Sequence, residues 1–171
     1  AALGRIHVHT SDAVLTVDEA LEQQRFISDE QIMTRGDWQE AMQSAPHRTA
    51  GTMYCGGQDH FYLEGQISLA IPQEDDHMLV YCSTQHPSEI QQHLAKVLNK
   101  PAHAVTVEVR RMGGGFGGKE SQACQWAALA AVAAGRNSCA VKCRLDRDDD
   151  MRLTGKRHDF RFDWQVGHDD A

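Results

Sequence analysis

No two of the five cysteines (Cys55, Cys82, Cys124, Cys139, Cys143) are spaced Cys-x-x-Cys. Such an odd, scattered set fits reduced thiols in a cytoplasmic protein better than a disulfide framework or a cysteine-held iron–sulfur cluster. There is no lysine or arginine run, and 17 basic against 24 acidic residues give a formal charge of −7, so nucleic acid is not an expected partner. The longest strictly apolar run, Trp126 to Ala134, falls far short of the roughly 20 residues a bilayer span requires. The charge excess and apolar poverty of a disordered chain are also missing, since 41% of residues are hydrophobic and 24% charged. At 171 residues the chain is one ordinary domain or a piece of something larger. Its opening, Ala1-Ala2-Leu3-Gly4-Arg5, has neither an initiator methionine nor a basic-then-apolar leader, which suggests a processed product or a cut segment.

What is present is organised. A short strand is expected around Ile6 to Val8, after which residues up to 45 are polar and offer no core of their own. From Arg48 onward three strand-like runs follow in a row, Thr49 to Tyr54, Gln66 to Ile71 and Met78 to Cys82, with the acidic turn Glu74-Asp75-Asp76 between the last two. Ile90, Leu94, Val97 and Leu98 recur at helical spacing behind Pro87, which a first turn tolerates, so a helix is expected over 87–98. A strand over 104–109, a helix over 121–134 stopped by Gly135, a strand over 139–145, a short helix over 146–153 and a strand over 160–166 complete the pattern. The fold class is α+β, a mixed sheet layered with helices in the order β-β-β-α-β-α-β-α-β. Residues 1–45 read as a poorly defined lead-in, and 46–171 as one domain segment.

The information is concentrated in Arg110-Arg111-Met112-Gly113-Gly114-Gly115-Phe116-Gly117-Gly118-Lys119-Glu120, between a predicted strand and a predicted helix. Glycines permit positive φ and lack a Cβ, so this turn can bring main-chain amides against an anionic ligand at a helix start. Two nucleotide motifs match by letter. Gly113, Gly115 and Gly118 satisfy G-x-G-x-x-G, but no acidic residue follows about twenty positions later, near Ala140. Gly113, Gly118 and Lys119 begin a P-loop, but Glu120 stands where the Mg²⁺-holding hydroxyl belongs. A third reading is that the glycines only let a helix pack tightly on a sheet.

Five segments in order, Gly56 to Glu64, Ser83-Thr84-Gln85, Arg111 to Glu120, Leu145 to Met151 and Thr154 to His158, resemble the molybdopterin-binding part of the xanthine dehydrogenase/aldehyde oxidase family. The resemblance covers roughly residues 48 to 171 and implies the first part of a molybdenum cofactor-binding domain, a fragment of the catalytic subunit of a bacterial-type enzyme. By its implication Gln85 hydrogen-bonds an oxo ligand of the molybdenum, a task that suits an uncharged donor. Phe116 and Gly117 lie against the metal's oxygen ligand and the pterin, so that Gln85 and Phe116 meet the metal through its oxygens and do not ligate it. Glu120 matches the carboxylate that binds and polarises a purine, which points to hydroxylation of hypoxanthine or xanthine with water-derived oxygen. An aldehyde oxidase-type hydroxylase and a nucleotide-binding module on the 113–118 loop are the alternatives.

The resemblance also implies iron–sulfur clusters and FAD on other domains or subunits, and a remaining part of the catalytic subunit that carries the general base. With only one wall of the cofactor cavity on this chain, the fragment alone is expected to be inactive and to hold no cofactor, and an exposed apolar face is expected to make it self-associate. Lys119 is expected to be a surface charge. Asp146 and Asp148-Asp149-Asp150 are expected to form a solvated helix cap, and His7 and His9 to be exposed without a third metal ligand. His60 and Glu64 are expected to serve packing and hydrogen bonding.

Overall fold

The computed structural model describes residues 7–170. In chain order the elements are α1 (Val17–Glu22), α2 (Trp38–Ser44), β1 (His47–Cys55), β2 (Ile67–Pro72), β3 (Met78–Cys82), α3 (Pro87–Leu98), β4 (Val105–Glu108), α4 (Ala123–Asn137), β5 (Val141–Arg144), α5 (Arg147–Leu153) and β6 (Phe160–His168). They divide into two compact units, residues 58–157 and residues 1–57 with 158–171.

Residues 58–157 hold a four-stranded mixed sheet in the order β4-β3-β2-β5. β2 and β3 form an antiparallel pair, Ser68 opposite Cys82 through Pro72 opposite Met78, around an acidic turn in which Asp75 takes φ 54°. β4 runs parallel to β3 because α3 carries the chain across between them, and β5 closes the other edge antiparallel to β2. Strand alternation turns Ser68 and Ala70 of β2 and Met78, Val80 and Cys82 of β3 to the buried face. Against these pack Ile90 and Leu94 of α3, both fully enclosed, and Ala127, Ala131 and Ala134 of α4. Burying each of the two large aliphatic side chains is worth about 1.5–3 kcal/mol. The alanines do a different job: without long side chains on that face, α4 can lie close to both the sheet and α3.

Residues 1–57 and 158–171 contain the nine-residue antiparallel ribbon β1–β6, paired from His47 opposite His168 to Cys55 opposite Phe160. None of the described residues of this unit is buried. Met53, Tyr54, Phe160, Phe162, Trp164 and Val166 remain exposed on the ribbon. α1 and α2 are short, each started by a side chain that accepts an otherwise orphaned amide: Thr16 from Glu19 and Asp37 from Glu40.

The α+β class, the mixed sheet and the element order from 47 onward stand as read from the sequence. Four details do not. Ile6 lies outside the described residues, and His7 and Val8 carry no strand. β1 does not continue into the β2–β3 sheet but pairs with β6, more than a hundred positions away. Val97 is half exposed although it keeps the helical spacing, because Ile90, Leu94 and Ala95 already fill the seam. Gly135 does not stop α4, which runs on to Asn137 and ends at Ser138 in a left-handed conformation.

The cysteines differ in exposure: Cys82 and Cys124 are buried, Cys55 and Cys143 half-buried, and Cys139 exposed. Burial, reinforced by the nearby Glu89 carboxylate, pushes the Cys124 thiol up to about 11, and burial raises Cys82 as well. Since the thiolate is the reactive species, iodoacetamide at neutral pH is expected to modify Cys139 first and to leave Cys82 and Cys124 intact until the chain unfolds. Peptide mapping over a time course reads the order, and early loss of Cys124 would contradict it.

Candidate functional site

The glycine loop is built against the end of β3. Gln85 turns its side-chain carbonyl inward, where Oε1 accepts from the N–H groups of Gly117 at 2.9 Å and Lys119 at 3.2 Å. Its own N–H donates to the Lys119 carbonyl at 2.8 Å, an oxygen that also accepts from Thr84 Oγ1 at 2.9 Å. Two amide donors can be met only by an oxygen, so the Gln85 side chain is oriented without ambiguity. Its Nε2 makes no hydrogen bond among the described residues, and the residue is exposed. Gln85 therefore presents a neutral donor to the outside.

Lys119 is held from within. Its side chain is fully enclosed, and Nζ donates to the carbonyls of Glu64 at 2.6 Å and Met112 at 2.9 Å and to Ser83 Oγ at 2.8 Å. The ammonium also lies 4.6 Å from the centre of the Tyr62 ring. Burial pulls this group below the ordinary lysine range, with the Glu64 and Asp150 carboxylates acting against it. The expected surface charge is thus a strap that ties both ends of the loop to the segment after Tyr62. Three acceptors converge there, and that convergence explains why a charge is tolerated inside.

A second network anchors the far side. Asp150 is buried and accepts from Tyr62 Oη at 2.5 Å and from the Gln66 N–H at 2.7 Å, while Gln66 Nε2 donates to Tyr62 Oη at 3.1 Å and to the Gly118 carbonyl at 2.9 Å. Burial and the bond to Asp150 raise the Tyr62 phenol above its ordinary value. The expectation of a solvated cap holds for Asp146, which accepts from the Asp149 N–H, but not for Asp150. One turn along α5 from Asp146, Asp150 falls on the side that meets Tyr62 and Gln66.

Neighbouring side chains fill the bare side of four of the five loop glycines, beginning with Gly114 (φ 103°), where a Cβ would lie 2.8 Å from the Phe116 ring. At Gly113 (φ 61°) the Glu64 carboxylate occupies the place of a Cβ, and at Gly115 the Gln85 side chain does so. A Cβ on Gly118 would lie 2.7 Å from His60 Nδ1 and 2.8 Å from Tyr62 Cε1. His60 and Glu64 thus do pack on the loop. Gly117 differs: at φ 90° its bare side is nearly open, with only His60 Nε2 at 3.9 Å. Next to it Phe116 takes φ 53°, uncommon for a large residue, and its ring is 74% exposed. Glu120 is exposed, immediately past the buried Lys119, and has no hydrogen bond among the described residues.

These bonds argue against a phosphate cradle. The amides of Gly117 and Lys119 are spent on Gln85 and that of Gly118 on the Gly115 carbonyl at 2.7 Å, so they are not free for an anion. The lysine that a P-loop would aim at phosphates points inward. Nor does the loop open a helix directly, because turns intervene before α4 begins at Ala123, whose N-cap Gln122 makes no side-chain cap. The expectation that main-chain amides would face a ligand is overturned for these three, and the outward donor is Gln85 Nε2 instead.

The structure brings Gln85 against Gly117 and leaves Phe116 and Glu120 exposed on the same loop. What the sequence reading missed is the support: Lys119, Tyr62, Gln66 and Asp150. The only signal was that all four lie in or beside the quoted segments. No helix of the described residues is long and apolar enough to cross a membrane.

Residues 21–171 match the molybdopterin cofactor-binding domain family. The chain is 43% identical over 157 residues to a xanthine dehydrogenase of Drosophila subobscura, covering 91% of this chain and 12% of that protein. It is 38% identical over 174 residues to aldehyde oxidase 2 of Cavia porcellus, covering 99% of this chain and 13% of that protein. The chain thus spans about an eighth of the length of the relatives it matches. Among solved structures, quinoline 2-oxidoreductase from Pseudomonas putida 86 superposes with a TM-score of 0.75 at 20% identity, over 94% of this chain and 22% of that one, a likeness of fold.

Proposed function

The chain belongs to the molybdopterin cofactor-binding domain family, and we propose that it forms one wall of the molybdenum-cofactor site of a hydroxylase that oxidises hypoxanthine or xanthine. The observation that carries the reading is the orientation of Gln85, whose carbonyl is fixed inward by two loop amides so that only its donor end faces out. A neutral N–H donor suits an oxo ligand because it stabilises the oxygen without adding charge. Phe116 and Gly117 belong beside it: Gly117 keeps the backbone bare for close approach, and the exposed Phe116 ring supplies an apolar wall that excludes water. When bound, the molybdenum group supplies the two-electron centre for ring-carbon hydroxylation with water-derived oxygen.

Glu120 holds the purine by hydrogen bonding to its heterocycle while negative charge develops on the ring nitrogens. Relatives named xanthine dehydrogenase and aldehyde oxidase lie at comparable identity, so the choice of purine over aldehyde rests on this carboxylate. The remaining part of the catalytic subunit covers the site, and domains or subunits carrying iron–sulfur clusters and FAD take the electrons onward. The test is the ratio of purine to aldehyde turnover in the full-length enzyme carrying Glu120→Ala, with equal loss on both substrates counting against the purine assignment.

On this reading the chain by itself has too few contacts to hold the cofactor, since the entropic cost of ordering the ligand is fixed while most of what offsets it lies elsewhere. Elemental analysis of the purified chain is expected to show molybdenum far below one equivalent. A stoichiometric amount would mean that these residues form a complete site.

A further inference from the structure

We propose that Glu89, His93 and Cys124 form a divalent-cation site of the zinc class at the seam between α3 and α4. Glu89 and His93 are four residues apart on α3 and so share a face, flanking the buried stripe of Ile90 and Leu94. Cys124 sits in the first turn of α4, where that helix packs on α3. One ligand atom from each of the three residues lies within 4.8 Å of the others. Tetrahedral zinc with bonds of about 2.0–2.3 Å needs its donors about 3.3–3.8 Å apart, so side-chain rotation of about 1 Å closes the set.

The donor chemistry narrows the ligand. A sulfur, an imidazole and a carboxylate select zinc or its first-row neighbours, whereas calcium and magnesium require oxygen ligands throughout. The carboxylate is already oriented from behind, because His86 Nδ1 lies 2.7 Å from Glu89 Oε2, the arrangement in which a second residue steers a ligand. His93 is exposed, which leaves the fourth corner to water. Binding releases the Cys124 thiol proton to solvent and cross-links two helices that otherwise meet through apolar contacts. None of the glycine-loop residues is needed, so the inference stands or falls apart from the cofactor reading.

Cobalt(II) added to the metal-stripped 171-residue chain is expected to bind one equivalent with a thiolate-to-cobalt charge-transfer band, which zinc then abolishes by displacement. Cys124→Ser should erase the band. Because that residue is buried and the variant can fail to fold, His93→Gln on the exposed side of α3 decides the matter independently: affinity should fall by about 100-fold or more, and by about 10-fold in His86→Ala, with helix content unchanged. No charge-transfer band, a band that survives Cys124→Ser, or unchanged affinity in His93→Gln would overturn the proposal. Cobalt bound without the band would instead mark imidazoles elsewhere in the chain.

Discussion

In the full-length enzyme, Glu120→Ala is expected to lower kcat/KM for hypoxanthine and xanthine by about 10²–10³-fold, the size of the effect when one group facing developing charge is removed. Simple aldehydes have no ring nitrogens for this carboxylate to meet, so their turnover should change by less than about tenfold. The two substrates therefore read the same variant differently, which a general loss of structure would not produce. Stability should hardly respond, within about 0.5 kcal/mol, because Glu120 is exposed and makes no hydrogen bond among the described residues. If the interaction strengthens in the transition state, kcat falls along with kcat/KM, whereas a rise in KM alone would reduce Glu120 to a binding residue. Equal losses on purines and aldehydes would remove the ground for assigning purines.

Lys119→Met is expected to destabilise the chain by about 3 kcal/mol or more in urea, against less than about 0.5 kcal/mol for Lys142→Met on the exposed side of β5. Methionine fills much of the space of the lysine stem, so the cavity contribution is small. What it removes is the donor to the Glu64 and Met112 carbonyls and to Ser83 Oγ, and a buried acceptor left without a partner costs about 1–3 kcal/mol. Relief from burying an ammonium works the other way, and hydrophobic replacement of a buried charge can be neutral when its partners are replaced too. Here two of the three partners are main-chain carbonyls that stay behind, so the loss dominates. Equal midpoints for the two variants would show that the loop is held mainly by Gln85 and Tyr62.

Much of the fold was legible locally. The 3.6-residue spacing behind Pro87 marked α3 at its observed bounds, Asp146 marked the start of α5, and strand-like runs bounded by Pro72 and the acidic turn Glu74-Asp75-Asp76 marked β2 and β3 within a residue. These features are encoded by neighbours within a few positions, where period and capping act. The glycine loop and the order of the five segments were equally visible, and they carried the family resemblance.

Other matters were settled only by contacts between distant positions. Nothing local distinguishes Lys119 from Lys142, or Asp150 from Asp148, because burial of a charge depends on what comes to cover it: Glu64, Met112 and Ser83 in one case, Tyr62 and Gln66 in the other. The strand at 47–55 was readable as a strand, yet its partner was not, since pairing with 160–168 closes a loop of about a hundred residues and leaves no mark in either segment. Likewise the glycines announced a backbone free of side chains, but only the packing of Gln85, Glu64, His60, Tyr62 and Phe116 decided which faces were filled and that Gly117 stayed open. Sequence by itself determined the elements from residue 47 onward and the loop's composition, but not α1 and α2; tertiary structure decided which polar groups were spent inside, because a hydrogen bond is chosen by proximity in space and not along the chain.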